Sequence, residues 1–138
     1  MPAVVPLIIA IIIIGILVFI AVSVTGNKVY EFDKEDYQAN FLAIENSLTR
    51  DNELSFNAAV IEADKLLDKA LMEMGLPGKT VGERMKAASN RFSSNNSIWY
   101  AHKMRNMIAH EHNFKVDYNK ATHALKAYRQ ALKDLGAI

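Results

Sequence analysis

No charged residue interrupts the first 25 positions, whereas the positions beyond them alternate apolar and polar residues with the 3.6-residue period of helices. Val4 to Val24 is an unbroken uncharged run of 21 residues, 16 of them Leu, Ile, Val or Phe. As a helix this run is about 31 Å long, the thickness of a bilayer core, and its insertion is favourable by several kcal/mol. Pro6 falls in the first turn, where it interrupts no helical hydrogen bond. Ala21-Val22-Ser23 resembles a signal-peptide cleavage site, but the run lacks a preceding Lys or Arg and is longer than a usual signal core, which favours an uncleaved anchor. Lys28 and Lys34 follow the span and no cation precedes it, so the positive-inside bias predicts a single-pass inner (cytoplasmic) membrane protein with its soluble domain in the cytoplasm.

The pattern divides the chain into an anchor at 1–25, a juxtamembrane linker at 26–32 and a helical domain at 33–138. A first helix is expected from Asp33 to Leu48, with Tyr37, Phe41, Ile44 and Leu48 on one face. A second begins near Asp51 or Asn52, either of which is a good N-cap, and carries Phe56, Val60, Ala63, Leu67, Ala70 and Met74 until Gly75 and Pro77 stop it. Thr80-Val81-Gly82-Glu83 reads as a capping box opening a third helix whose stripe is Val81, Met85, Ala88 and Phe92. A polar loop at Ser93–Ser97 leads to a fourth helix running to His112, with Tyr100, Ala101, Met104 and Ile108 apolar. Asp117 caps a fifth, carrying Ala121, Leu125, Tyr128, Leu132 and Leu135 before Gly136. No run alternates as a strand does, and the short connections predict an all-α bundle of four to five helices behind a single transmembrane helix.

Composition narrows the classes. All 31 charged residues (16 basic, 15 acidic) fall after position 26, so the domain is about 27% charged, ordinary for a globular protein and unlike a disordered chain. The absence of cysteine excludes a disulfide scaffold and a cysteine-ligated zinc module. The length of 138 residues excludes a multidomain enzyme. The net charge of +1 is a cancellation. Residues 26–73 hold five basic and 11 acidic groups, net −6, and residues 74–138 hold 11 basic and four acidic groups, net +7. Two readings stay open: complementarity between helices of one bundle, or an electropositive face for an anionic partner such as RNA or lipid headgroups.

Gly78-Lys79-Thr80 imitates the end of a phosphate-binding loop. The glycine required five residues earlier is Glu73, and a helix instead of a strand precedes the loop, so nucleotide hydrolysis is rejected and Thr80 is assigned as an N-cap. His110 and His112 lie on opposite sides of a helix and no carboxylate completes a cluster with them, so neither a metal nor any other cofactor is expected.

On the fourth helix His102, Arg105, Asn106 and His110 fall on one polar stripe, which the helical wheel directs away from the core. A solvated face usually carries Glu and Lys, so these identities stand out. Arg105 can grip a phosphate with two parallel hydrogen bonds. His110 can move a proton near neutral pH, and Asn106, one turn earlier, can orient its imidazole or a substrate oxygen. These are the parts of metal-free RNA cleavage: a base for the 2′-hydroxyl, an acid for the leaving 5′-oxygen and a cation for the pentacovalent phosphate. A single histidine does not easily act as both acid and base, and a two-fold dimer would supply a second.

Arg105-Asn106-Met107-Ile108-Ala109-His110 resembles the R-X4–6-H motif of the HEPN superfamily, including the polar residue common after its arginine, and the motif's place on a late helix of a compact bundle is similar. The stretch from about Val60 to Leu135 looks like bacterial members of that group. The resemblance implies a homodimeric, metal-independent endoribonuclease with Arg105 and His110 as the functional pair, Asn106 in support, RNA as substrate, and a toxin-like role with an antitoxin or other protein partner. His102 and Lys103 lie outside the motif and are assigned auxiliary contacts to phosphate. The superfamily also contains members that bind RNA or proteins without cutting, so a membrane-bound dimerisation and binding module is the alternative expectation.

Overall fold

Six helices and no strand make up the residues, 3–25 and 30–138, that the computed structural model describes. The first, α1, spans Val4–Thr25 and is long and apolar enough to cross a membrane, with Val4–Ser23 exposed throughout. Residues 26–29, which hold Lys28 and most of the expected linker, lie outside the described residues.

Five helices follow: α2 Lys34–Ser47, α3 Glu53–Glu73, α4 Val81–Ala87, α5 Asn95–His110 and α6 Tyr118–Leu135. Each starts where a short polar side chain can accept a free N–H of the first turn. Asp33 accepts from Asp36, Asn52 from Leu54, Thr80 from Glu83, Ser94 from Ser97 and Asp117 from Lys120. Such a cap is worth about 1 kcal/mol. The expected capping box at Thr80 forms in altered register, because the Glu83 carboxylate accepts from the N–H of Lys79, one residue before the cap.

α3 is the central element and packs against α2, α4, α5 and α6. Its stripe Phe56, Val60, Ala63, Leu67, Ala70 and Leu71 is buried. α6 meets it with Ala121, Leu125, Tyr128 and Leu132, and its additional alanines 124, 127 and 131 allow close approach. Tyr37 and Phe41 of α2, Met85 of α4 and Ile98, Ala101 and Met104 of α5 complete the core.

Three expectations are corrected. α4 ends at Ala87, well short of Phe92, although Phe92 is still buried. Asp134 of α6 accepts from the Ser93 N–H at 2.8 Å and from its hydroxyl at 2.7 Å, holding the chain in a turn. Burial opposes ionisation there, but the Ser93 and Gln130 hydrogen bonds outweigh it and hold the Asp134 carboxyl below its ordinary range. α5 consequently begins at Asn95 with Ser94 as its cap, instead of near Ser97, and it ends at His110, two residues before the expected end. Finally, Tyr100 stands 45% exposed, while Ile98, one and a half turns from Met104, is buried. The inward face of α5 is rotated from the one that apolar positions alone define.

Gly78 is explained by the turn into α4. Its φ of +143° is unfavourable for other residues, and a Cβ there would lie 2.8 Å from Glu83 Cβ and 2.9 Å from Arg84 N. Gly75, at φ +71°, has open space around it. Gly78→Ala is therefore expected to destabilise the domain by about 2–3 kcal/mol and Gly75→Ala by about 1 kcal/mol. Urea unfolding of the two variants side by side checks the order.

Candidate functional site

The site is built on a carboxylate inside the bundle. Asp64 occupies the core-facing stripe of α3, one turn after Val60, and is 1% exposed. An ionised carboxylate in that position requires hydrogen-bond donors. Tyr128 of α6 donates its hydroxyl to Asp64 Oδ1 at 2.8 Å, and His102 Nδ1 of α5 lies 2.8 Å from the same oxygen. Arg105 Nε sits 3.6 Å from Oδ2, an ion pair just beyond hydrogen-bond length. Burial first, and the Asp64 charge second, push the Tyr128 hydroxyl well above its ordinary pKa, so it remains a donor at neutral pH.

Asn106 closes the network and assigns its protons. Arg105 Nη1 donates to Asn106 Oδ1 at 3.3 Å, and arginine can only donate. The Asn106 Nδ2 therefore faces His102 Nε2, at 3.3 Å, and donates to it. A ring nitrogen that accepts carries no proton, so the proton of a neutral His102 is on Nδ1, directed at Asp64. Arg105, Asn106, His102 and Asp64 form a ring in which each donor meets an acceptor or an opposite charge.

This ring corrects the expectation of an outward polar stripe. His102 is buried and both its ring nitrogens are engaged, so it has no free lone pair or proton for a phosphate. It acts as a link between Asp64 and Asn106. Arg105 is half-buried, with 31% of its side chain exposed, whereas Lys103 and His110 are exposed. Wheel geometry excluded His102 and Arg105 from the core on polarity alone. Asp64, on another helix and itself hydrogen-bonded by Tyr128, supplies the partner that lets them turn inward.

A cleft of about 1070 Å³ opens beside this ring, between α4 with its preceding turn and α5. Arg105, Asn106, His110 and Lys103 all line it. The charged side chains of its wall are Lys79, Arg84, Lys86, Lys103 and Arg105 against the single carboxylate of Glu83. Arg84 is committed to structure. Its Nε and Nη2 grip the two oxygens of Asp68 at 2.6 and 2.9 Å, and its Nη1 donates to the Gly78 carbonyl at 2.8 Å. The Asp68 hydrogen bond raises the Arg84 pKa further, and the clamp fastens α4 to α3. Lys79, Lys86 and Lys103 are exposed and make no ion pair among the described residues. Among those residues no three His, Asp or Glu side chains converge as metal ligands.

The charge segregation of the sequence thus has two outcomes. Part of it is spent in pairs between helices, the buried or half-buried Asp68–Arg84 and Asp64–Arg105 and the more exposed Glu45–Arg129. The remainder makes the cleft basic. Asp64 and Asp68, one helical turn apart on α3, are residues that the sequence reading did not single out. The legible signal was an acidic residue inside the Val60–Leu67 apolar stripe, where solvation is unavailable.

Comparison of the chain with family models, with curated proteins and with solved structures gave no match.

Asp64→Ala would leave Tyr128, His102 and Arg105 unpaired inside the bundle and is expected to cost about 3–5 kcal/mol, against about 1–2 kcal/mol for Tyr128→Phe. Chemical unfolding monitored by circular dichroism measures both. The raised Tyr128 and Tyr37 pKa values set an alkaline limit. Both groups contribute stability that is complete below the ordinary tyrosine pKa and lost as the unfolded chain ionises first, so stability falls above about pH 10. Tyr128→Phe should flatten that fall.

Proposed function

We propose that this chain is a membrane-tethered, metal-independent endoribonuclease of the HEPN type. The observation that supports this reading best is the basic cleft in which Arg105 is held by Asp64 and Asn106 while exposed His110, at the end of the same helix, lines the same wall. In this reading the phosphate between two nucleotides binds Arg105. A histidine removes the proton of the 2′-hydroxyl, whose oxygen attacks phosphorus. Arg105 stabilises the charge on the pentacovalent phosphate, and the bond to the 5′-oxygen breaks as a second histidine protonates it. His110 fills one of these roles and the His110 of a second subunit the other, which makes the active form a two-fold dimer. Asn106 positions Arg105 through the 3.3 Å hydrogen bond. The single span with Lys34 on its C-terminal side supports a cytoplasmic domain, where RNA is available. A toxin-like role would call for a protein antitoxin.

One observation favours a second reading. Arg105 already neutralises Asp64, so the motif can serve the bundle's own stability and leave a binding module that dimerises on the membrane without cutting.

A ribonuclease assay on the full chain in nanodiscs separates the two. Under the first reading His110→Ala lowers RNA cleavage by at least about 10²-fold with the fold intact, Arg105→Lys lowers it comparably because the bidentate grip is lost, and EDTA has no effect. Folded, dimeric protein that binds RNA and never cuts it establishes the second.

A further inference from the structure

The wall of the cleft holds aromatic surface as well as charge. Trp99 and Tyr100 project from α5 beside Lys103, and Lys79 and Lys86 face them from the α4 side. Trp99 is half-buried and meets His102 edge-on, with ring centroids 5.9 Å apart. Across from it lies Gly82 of α4, where a Cβ would stand 3.7 Å from both Trp99 Cη2 and His102 Nε2, so the helix backbone packs close against this edge of the indole.

An inorganic anion needs cations and no aromatic surface. A lipid headgroup needs them near the bilayer, yet the juxtamembrane Glu31, Asp33, Glu35 and Asp36 repel an anionic leaflet there. Three unpaired lysines around an indole and a phenol match a ligand that carries a flat base next to each phosphate. Stacking on such rings is tolerant of base identity, and lysines act as point charges on phosphate. The volume of about 1070 Å³ exceeds what one drug-sized molecule fills, so it accommodates more than one nucleotide.

We infer that the α4–α5 cleft is a nucleotide-stacking site, in which an unpaired base lies against Trp99 and Tyr100 while Lys79, Lys86 and Lys103 hold the flanking phosphates. The inference deepens the proposed function and rests on its reading of the cleft as an RNA site. It adds that a base must be splayed from its neighbours to bind and that Trp99 contributes affinity without taking part in bond cleavage.

Trp99 is the single tryptophan of the chain, so its fluorescence reports the site directly. The full chain in nanodiscs of zwitterionic lipid is titrated with a 2′-O-methyl adenosine trinucleotide, which has no 2′-hydroxyl to attack. Saturable quenching of Trp99 is expected. Calorimetry should show binding weakened about tenfold or more in Trp99→Ala. Trp99→Phe, which keeps a stacking ring, should retain most of the affinity. Replacing Lys79, Lys86 and Lys103 together should reduce the slope of log affinity against log salt by about 2. Inorganic tripolyphosphate binding as tightly as the trinucleotide, no saturable binding by folded protein, or full affinity in Trp99→Ala each overturns the inference. Its failure is distinct from failure of the cleavage reading. A chain that quenches with the trinucleotide and cuts no RNA keeps the site and loses the ribonuclease. A chain that cuts RNA equally well as Trp99→Ala keeps the ribonuclease and loses the site.

Discussion

The burial of one carboxylate organises this bundle. Asp64 lies on the core side of the central helix, where a bare charge would cost several kcal/mol. Its neighbours on α5 and α6 are fixed by the need to satisfy it: the Tyr128 hydroxyl, the His102 imidazole and the Arg105 guanidinium converge on two oxygens. Three helices are thereby held in one register. Hydrophobic packing of alanine-rich faces would tolerate several rotations of α5, whereas a hydrogen-bonded ion has one.

The same constraint shapes the surface. Because His102 and Arg105 must turn toward Asp64, α5 rotates, Tyr100 moves to solvent and Trp99 comes to the rim of the cleft. One turn further along α3, Asp68 clamps Arg84 and with it the short helix that forms the opposite wall. The cleft is therefore bounded by two helices that are each tied to α3 through an acid. The lysines not used in these ties are left lining open space. Core electrostatics and a cationic groove are consequences of one arrangement of charge along the chain.

The proposed chemistry depends on how rigidly Arg105 is presented. Its Nε is held near Asp64 and one terminal nitrogen is hydrogen-bonded to Asn106, which leaves part of the guanidinium exposed to the cleft. A side chain supported in this way loses little conformational freedom on meeting a phosphate. His110 makes no side-chain hydrogen bond or ion pair among the described residues.

Much of the architecture was legible in the chain itself. The apolar run of α1, the periodic stripes of α2, α3 and α6 and the caps at Asn52, Thr80 and Asp117 are local properties, set by side-chain chemistry at helical spacing, and each forms where it is expected. Motif spacing likewise brought Arg105, Asn106 and His110 onto one helix and, in the structure, onto one cleft. What periodicity could not determine was which polar residues face inward. His102 and Arg105 are solvent residues by hydropathy, yet the fold buries His102 and half-buries Arg105, because Asp64, 38 positions from His102 and itself held by Tyr128 64 positions away, reaches them across helix interfaces. The turn that leads into α5 was settled in the same way, by Asp134 reaching back to Ser93 from the last helix. Local sequence determines where a helix can form and which face is greasy. Only the tertiary structure decides whether a buried charge finds its donors, since that depends on groups brought together from distant parts of the chain.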